Sequence, residues 1–271
     1  MRGIIVGVAL GALASLACVS LAGSAAEAAD AGLAEKFRLL RLDGRQVKWG
    51  SPELGTGARV SYALVAGRVH FSGSHNCGEM APVAPLLASS GISAADFTTE
   101  LRAAFAMWEA VADISFEPAA DPSKAQILIG IQGKPTGWAF ANVAYDRSTD
   151  AATGRIEKSL ICLNPTKLWK IGFGGDVRIY DLRYTFAHEI GHAIGLDHPG
   201  PAGQLMAFEY AETSRELQPG DIHGAVLLYG VRGMRSAAPS VPAADAPSAA
   251  LALQSRQPSH AEWTRDASME R

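Results

Sequence analysis

No part of the chain is as informative as residues 188–198, which read His-Glu-Ile-Gly-His-Ala-Ile-Gly-Leu-Asp-His. His188 and His192 are four residues apart, so on a helix they lie one turn apart on the same face and can bind one metal ion. Gly195 can adopt the left-handed conformation that ends a helix. The chain would then turn back and bring His198 to the same ion. Three protein ligands and one open position are what a catalytic zinc site requires.

Glu189 follows the first of these histidines in the helix. It would lie beside the metal without pointing directly at it, so it is not expected to be a ligand. This position suits a general base that acts on a zinc-bound water. A bare His-Glu-x-x-His segment also occurs on surface helices that bind no metal. Gly195 and His198 at fixed offsets make coincidence a poor explanation, and the complete pattern resembles the metzincin signature.

Segments on both sides of the motif extend this resemblance, so that the chain resembles the matrixin-like group of metzincins over about residues 46–232. The matching segments are Lys48-Trp49-Gly50 with residues 60–64 for the first strand, 103–108 for the first helix, 125–130 for a core strand and 217–230 for the last helix. Gly203-Gln204-Leu205-Met206 resembles the Met-turn, and Met206 would form a hydrophobic floor beneath the ligands. The resemblance implies an α+β, zincin-like catalytic domain with a twisted, mostly parallel sheet, an antiparallel edge strand and about three helices.

Three residues depart from the matrixin pattern. Pro199 follows the third histidine where matrixins carry serine, and Phe208 stands where they place the proline after the Met-turn. Tyr210 comes four residues after Met206, whereas serralysins and astacins place a tyrosine two residues after it. Matrixin and serralysin-type subfamilies therefore both stay open. Phe208 and Tyr210 are candidates for lining the substrate pocket, and the alternative interpretation of Tyr210 is a packed aromatic residue.

Composition and charge fit an exported globular protein. The 271 residues are 48% hydrophobic and 19% charged, enough for one buried core with tails, and the net charge of −3 gives no reason to expect a nucleic-acid partner. Arg2, the apolar stretch after it and the small residues at Ala26-Glu27-Ala28 predict a signal peptide over residues 1–28. An uncleaved anchor is the alternative, because the apolar stretch is nearly long enough to span a bilayer. Cleavage would leave a secreted or periplasmic protein without a stable membrane anchor.

The rest of the chain divides into a short N-terminal segment (residues 29–45), a catalytic domain (46–233) and a flexible tail rich in Ala, Pro and Ser (234–271). Hydrophobic patterns predict a helix from Ser93 or Asp96 to about Val111, and a zinc helix capped by Asp181 that runs to about Ile194. Residues 72–93 are predicted to be a long loop with one short helix. Strands or hairpins are predicted at residues 58–71, 113–117, 126–131, 137–144 and 156–163.

Cys77 and Cys162 are the two cysteines that stay after removal of residues 1–28. An even number of cysteines in an exported protein favours a disulfide between them. The alternative is a latency switch, in which the Cys77 thiolate occupies the open position of the zinc. Cys77 lies inside the catalytic domain, whereas a removable switch would precede it.

Two further features of the resembled family have candidate counterparts. The strand at residues 137–144 would be an edge strand to which a peptide substrate adds by backbone pairing, and an ordinary sheet edge is the alternative. Asp146, Asp150 and Asp176 could bind calcium, although single aspartates in loops are more often solvated. No histidine lies between Asp146 and Asp176, so a second zinc ion is not expected.

Together these features predict a secreted, zinc-dependent endopeptidase. His188, His192 and His198 would hold zinc, and Glu189 would act as general base on the zinc-bound water during hydrolysis of a peptide or protein substrate. Two alternatives stay open, namely a narrow-specificity or latent zinc hydrolase and a non-catalytic zinc-containing binding protein. The intact Glu189 argues against the second, because a scaffold has no use for that carboxylate. The natural substrate and the oligomeric state do not follow from the sequence.

Overall fold

An open sheet lies at the centre of the fold, which the computed structural model describes over residues 36–148, 151–200 and 202–233. The strands of these residues are β1 (Arg38–Leu39), β2 (Arg41–Leu42), β3 (Arg45–Lys48), β4 (Ala58–Leu64), β5 (Val69–His70), β6 (Glu79–Ala81), β7 (Ile114–Pro118), β8 (Ile127–Gln132), β9 (Ala139–Tyr145), β10 (Thr153–Leu163), β11 (Trp169–Lys170), β12 (Tyr180–Asp181) and β13 (Leu196–Asp197). Strands β7, β4, β8 and β10 are parallel and lie side by side in that order, and β9 pairs antiparallel with β10 at the end of the row. The predicted mostly parallel sheet with an antiparallel edge strand is confirmed.

The central strands are continuous apolar runs. Strands β8 and β9 are buried at every position. Strands that are covered on both faces have this pattern, whereas a strand with one face exposed to solvent alternates between apolar and polar residues. The strands predicted at residues 113–117, 126–131, 137–144 and 156–163 correspond to β7, β8, β9 and β10.

The prediction for residues 58–93 needs a correction. Strand β4 ends at Leu64, and β5 pairs with β6 instead of folding back on β4. Strand β6 also pairs with the end of β8, opposite Ile131 and Gln132. Much of the segment predicted as a loop is therefore attached to the sheet, by strands too short to produce a detectable alternation.

Four α-helices occur in the described residues, namely α1 (Ala84–Ser90), α2 (Ala94–Val111), α3 (Leu182–Ala193) and α4 (Pro219–Tyr229). The prediction of about three helices counts the long ones, and the additional helix, α1, has only seven residues. Ser93 begins α2, where its hydroxyl accepts a hydrogen bond from the backbone N–H of Asp96 at 3.0 Å. Asp181 begins α3 in the same way, accepting from the N–H of Tyr184 at 2.9 Å. Both caps were predicted from residue type.

Two buried tryptophans hold α3 in place. The indole N–H of Trp108 in α2 donates to the carbonyl of Ala187 at 2.9 Å, and that of Trp49 donates to the carbonyl of Ala193 at 2.8 Å. Both rings are almost fully buried. A buried indole N–H without an acceptor would cost free energy, and here each acceptor is a carbonyl of the helix. Helix α3 is therefore fixed along its length.

A second, smaller apolar cluster lies on the opposite face of the sheet. Leu128 belongs to it, whereas Ile127 and Ile129 belong to the core beneath the helices, as alternation along a strand requires. Cys77 and Cys162 form a disulfide in this cluster, with 5.7 Å between their Cα atoms. The bond attaches the segment that carries β5 and β6 to β10. It also leaves no free thiol at Cys77, so the latency alternative is incompatible with this structure.

The residues before β3 pack in the same body. Strand β1 pairs with β13, and Leu39 and Leu40 are buried in the main core. The N–H of Leu40 donates to the carbonyl of Gly195 at 2.8 Å. The first described residues therefore lie against the turn that follows α3. Within the described ranges, no helix is both long and apolar enough to cross a membrane.

Candidate metal centre and active site

Helix α3 and the turn after it carry the three predicted ligands. His188 and His192 are fully buried, one turn apart on the helix. The helix ends before Gly195, whose φ is +107°, a backbone conformation that other residues rarely adopt. A Cβ atom there would lie 2.2 Å from the carbonyl oxygen of Val47, so only glycine fits. Strand β13 then leads directly to His198.

The three imidazoles converge through their Nε2 atoms. These atoms are 3.1 Å apart in His188 and His192, and each is 3.0 Å from that of His198. A tetrahedral zinc ion with Zn–N bonds of about 2.0–2.1 Å separates two nitrogen ligands by about 3.3 Å, so a small adjustment of the rings accommodates it. Within the part of the chain that the structure describes, this is the one group of three or more ligand side chains close enough to hold a metal.

Backbone carbonyls and burial prepare the histidines for a metal. The Nδ1 atom of His188 lies 2.8 Å from the carbonyl oxygen of Leu205, and that of His192 lies 2.9 Å from the carbonyl oxygen of Leu196. A carbonyl can only accept, so each Nδ1 carries the proton and each Nε2 presents its lone pair. Burial lowers the pKa of His188 well below its usual value, that of His192 to about 4 and that of His198 to about 3. The neutral, metal-binding form therefore prevails at neutral pH.

Glu189 is buried beside these ligands without a partner. Neither of its carboxylate oxygens accepts a hydrogen bond from any residue that the structure describes. Burial raises the pKa of this carboxyl group well above its usual value. A buried acceptor without a donor costs free energy, which a water molecule at the centre of the three histidines would recover. Three neutral nitrogen donors and one unsatisfied carboxylate fit a zinc ion.

Asp221, in the first turn of α4, supports the turn that contains Leu205 and Met206, and it is absent from the residues predicted for the site. Its carboxylate accepts from the backbone N–H groups of Leu205, Met206 and Gln218 at 2.9, 3.0 and 2.8 Å. Because the carbonyl of Leu205 in turn accepts from His188, a chain of hydrogen bonds connects Asp221 to a ligand. The capping box that Asp221 forms with Gln218 is the sequence signal that could have identified it.

Met206 packs directly against the zinc helix. It is 2% exposed. A Cβ atom on Gly191 would lie 2.2 Å from its sulfur and 2.9 Å from a ring carbon of Trp108. The glycine between the two helical histidines is therefore required by packing, because a methyl group would displace either Met206 or the helix.

The residues after Met206 form a wall segment, defined here as residues 207–217. Phe208 is 36% exposed, and its ring centroid lies 6.1 Å from that of His198, so it borders the site. The ring of Tyr210 instead stacks on Tyr180 at 3.9 Å. Its hydroxyl accepts from the N–H of Asp181 at 2.8 Å and donates to Glu212 at 2.9 Å. These contacts match the alternative interpretation of Tyr210 as a packed aromatic residue.

Two of the candidate calcium ligands form ion pairs with arginines. Asp146 pairs with Arg155 at 3.3 Å, and Asp176 pairs with Arg178 at 2.7 Å. Asp150 lies outside the described residues. The two aspartates that can be placed are therefore each balanced by an arginine.

Comparisons with known proteins agree with this geometry. The protein-family model described as matrixin matches residues 86–230, just over half of the chain. Matrix metalloproteinase-19 of Homo sapiens is 30% identical over 139 residues, which are 48% of this chain and 25% of the relative. Karilysin of Tannerella forsythia is 26% identical over 154 residues (52% and 30%), and the 72 kDa type IV collagenase of Gallus gallus is 36% identical over 118 residues (41% and 17%). The chain spans less than a third of the length of each of these relatives.

Proposed function

Because the chain belongs to the matrixin family, we propose that it is a secreted, zinc-dependent endopeptidase. The observation that carries the proposal is the convergence of three neutral imidazoles beside a buried carboxylate without a partner. A metalloproteinase and a collagenase are among its relatives, and peptides or proteins are the substrates that we propose. The match to one family model favours the matrixin subfamily over the serralysin type.

Zinc would be bound by the Nε2 atoms of His188, His192 and His198. When bound, zinc supplies a Lewis acid that polarises a peptide carbonyl and lowers the pKa of water to about 7. The carbonyls of Leu205 and Leu196 keep two of the rings in the required tautomer and orientation. Such supporting contacts matter for metal affinity as well as for geometry.

Glu189 would act as the general base. It would take the proton of the attacking water and deliver it to the nitrogen of the leaving amine. The absence of a protein donor to either oxygen, among the described residues, leaves the carboxylate available for this exchange. A glutamine has the same shape but cannot carry a proton between the two partners.

The substrate would add to β9 as a further strand. The N–H of Asn164 donates to the carbonyl of Trp138 at 2.7 Å, so Trp138 directs its backbone towards β10. Ala139, the next residue, directs its N–H and C=O to the other side, as the alternation of an antiparallel ladder requires. In the described residues β9 pairs with no strand other than β10, but every residue of β9 is buried, so the part of this edge that a substrate could reach would be its beginning, next to the exposed Gly137. Backbone pairing at this edge would give affinity with little choice of side chain, and Phe208 would add an apolar contact beside His198.

Export from the cytoplasm is part of the proposal. The disulfide between Cys77 and Cys162 supports it, because such bonds persist in oxidising compartments. The signal peptide over residues 1–28 and the tail over residues 234–271 lie outside the described residues and stay predictions, as does a catalytic domain over residues 46–233. Calcium has less support than zinc as a cofactor, since the two placed aspartates are paired with arginines.

The test compares the purified exported chain with its Glu189→Gln variant for zinc content and for cleavage of an unfolded protein such as casein. We expect equal zinc in both and a loss of at least about a hundredfold in cleavage rate in the variant. Glu157→Gln is a suitable control, because Glu157 is an exposed carboxylate on β10. It should cleave like the wild type.

Each other outcome has a defined meaning. Turnover that survives in Glu189→Gln would exclude Glu189 as the base. Zinc in both proteins with cleavage in neither would contradict a general endopeptidase and favour the narrow-specificity or latent hydrolase. A failure to cleave short peptides as well would favour the non-catalytic binding protein. Absence of zinc from the wild type would refute the metal site itself.

A further inference from the structure

Four charged side chains meet at the N-terminal end of α3, outside the metal site. Arg183 donates to Glu100 through Nε at 2.8 Å and Nη2 at 2.9 Å. Arg215 donates to Asp181 through Nε at 3.0 Å and Nη2 at 2.9 Å, and its Nη2 also donates to Glu100 at 2.7 Å. The side chains of Asp181 and Glu100 are 0% and 7% exposed, so these carboxylates need the two positive charges that surround them.

Asp181 connects this cluster to the wall segment. Its carboxylate caps α3 and also accepts from Arg215, while its backbone N–H donates to the hydroxyl of Tyr210. Arg215 and Tyr210 both belong to the wall segment. Contacts of Tyr210 and Arg215 therefore hold that segment against the first turn of α3, and Glu212 adds an ion pair with Lys170 of β11.

The other end of the wall segment borders the metal ligands. The N–H of Phe208 donates to the carbonyl of Gly200 at 3.3 Å, and its ring lies beside His198. No helix or strand element occurs in residues 207–217, so the position of the segment depends on such contacts. Between Phe208 and Arg215 the segment therefore extends from the metal site to the beginning of α3. A displacement at one end would be transmitted to the exposed aromatic ring at the other.

We propose that Arg215 is a positioning residue, which fixes the wall segment against α3 and so sets which substrate side chains are accepted next to the scissile bond. This inference rests on the proposed function, because a wall selects substrates only in a peptidase. Arg215 acts through Asp181 and Glu100. The residue that contacts substrate is Phe208, whose exposed ring would favour an apolar side chain.

Arginine suits this position because of its shape. Its planar fork donates to two carboxylates at once, in fixed directions. Lysine has the same charge but only one nitrogen, so it can balance the cluster without reproducing the paired contacts to Asp181. Arg215→Lys should therefore keep the fold and lose part of the positioning, whereas Arg215→Gln should lose most of it.

Arg183 provides a matched control. It pairs with the same Glu100, but it belongs to α3 and its two hydrogen bonds connect that helix to α2. The experiment measures kcat and KM for peptides that differ only in the residue after the scissile bond, together with zinc content and melting temperature. For Arg215→Gln we expect a rise of about tenfold in KM for the preferred peptide, a smaller change in kcat and a flatter preference, with zinc retained. Arg183→Gln should lower the melting temperature and keep the preference.

The possible results separate cleanly. An unchanged KM and preference in folded, zinc-loaded Arg215→Gln would overturn the inference, as would the same change in Arg183→Gln. If Arg215→Gln does not fold, Arg215→Lys decides, through hydrogen exchange of the amides of residues 207–217. Exchange faster than in the wild type and in Arg183→Gln supports the inference, and equal exchange overturns it. A wild type that cleaves no peptide would instead refute the proposed function, and this inference with it.

Discussion

The two ends of α3 are built in opposite ways. At the C-terminal end the ligands come from one short stretch, residues 188–198. They are uncharged side chains, and backbone carbonyls orient two of them, His188 and His192. At the N-terminal end Asp181 is surrounded by arginines and a glutamate that come from distant parts of the chain, up to 115 residues apart in sequence. Burial stabilises the first arrangement by keeping it neutral, whereas the second survives burial only because its charges balance. Protonation should therefore destabilise the C-terminal end, and removal of a charged side chain should destabilise the N-terminal end.

Acid should produce the largest effect, at the C-terminal end. The pKa of His192 is lowered to about 4 and that of His198 to about 3, whereas histidine in an unfolded chain titrates near 6.5. At a pH between the folded and the unfolded pKa values, the unfolded chain binds more protons than the folded protein does. The free energy of unfolding therefore falls as the pH is lowered from about 6.5 to about 4. In the metal-free protein we expect a loss of about 3 kcal/mol for each of the two histidines.

Urea unfolding of metal-free Glu189→Gln at about pH 7 and about pH 4 measures this loss. The glutamine background is needed because the raised pKa of Glu189 has the opposite sign, favouring the folded state in acid. Bound zinc should reduce the loss, since it keeps the imidazoles unprotonated. Equal stability of the metal-free protein at both pH values would mean that the histidines are not buried as described.

The next largest effect should follow Asp221→Ala. The substitution leaves the N–H groups of Leu205, Met206 and Gln218 without their acceptor. Because each unsatisfied buried donor costs about 1–3 kcal/mol, we expect a loss of about 4 kcal/mol and weaker zinc binding. Asp96→Ala is the control, since Asp96 makes its capping contacts with Ser93 at an exposed helix start. A loss in Asp221→Ala no larger than that of the control would show that the turn at Leu205 and Met206 is stable without the Asp221 carboxylate.

The C-terminal end of α3 could be predicted from the sequence because its determinants are local. The residues His188, His192 and His198 and the glycine at 195 all lie within one helix and its turn. The apolar runs of β8 and β9 are local signals of the same kind. Together these features predict the sheet type and the ligand set.

The supporting contacts could not be predicted, because their partners meet only in the folded chain. Arg215 and Glu100 have no relation in sequence, and an arginine between Ser214 and Glu216 has the pattern of an ordinary surface residue. The cysteine count favoured a bond between Cys77 and Cys162, but it contained nothing about how β5 and β6 return the chain to the sheet and bring the two together. Whether Tyr210 lines the pocket or packs as a core aromatic residue depends on which rings surround it, and the sequence pattern does not contain that information.

Gly191→Ala should have the third largest effect, again at the metal end. The new methyl group would overlap the sulfur of Met206, so we expect about 2–3 kcal/mol of destabilisation and a lower zinc affinity. Gly200→Ala is the matched control, because a Cβ atom on Gly200 meets nothing within 4 Å. Thermal unfolding and competition with a zinc chelator measure the two quantities. Equal behaviour of the two variants would contradict the packing of Met206 against α3.

The smallest effect should come from the charged end, through Asp181→Asn. Asparagine is as good an N-cap as aspartate, so the hydrogen bond to the N–H of Tyr184 is kept. The amide has a single acceptor oxygen and no charge. Arg215 therefore keeps the contact of its Nε with the capping oxygen and its contact with Glu100, but its Nη2 contact with Asp181 is lost, and the N–H of Gly172 loses its acceptor. We expect about 1–2 kcal/mol of destabilisation, measured by urea unfolding, with zinc affinity unchanged because no contact with the ligands is altered. If Asp181→Asn releases zinc as readily as Gly191→Ala does, the two ends of α3 are energetically coupled. The neutral C-terminal end and the charged N-terminal end could then not be treated as independent contributions to the stability of this helix.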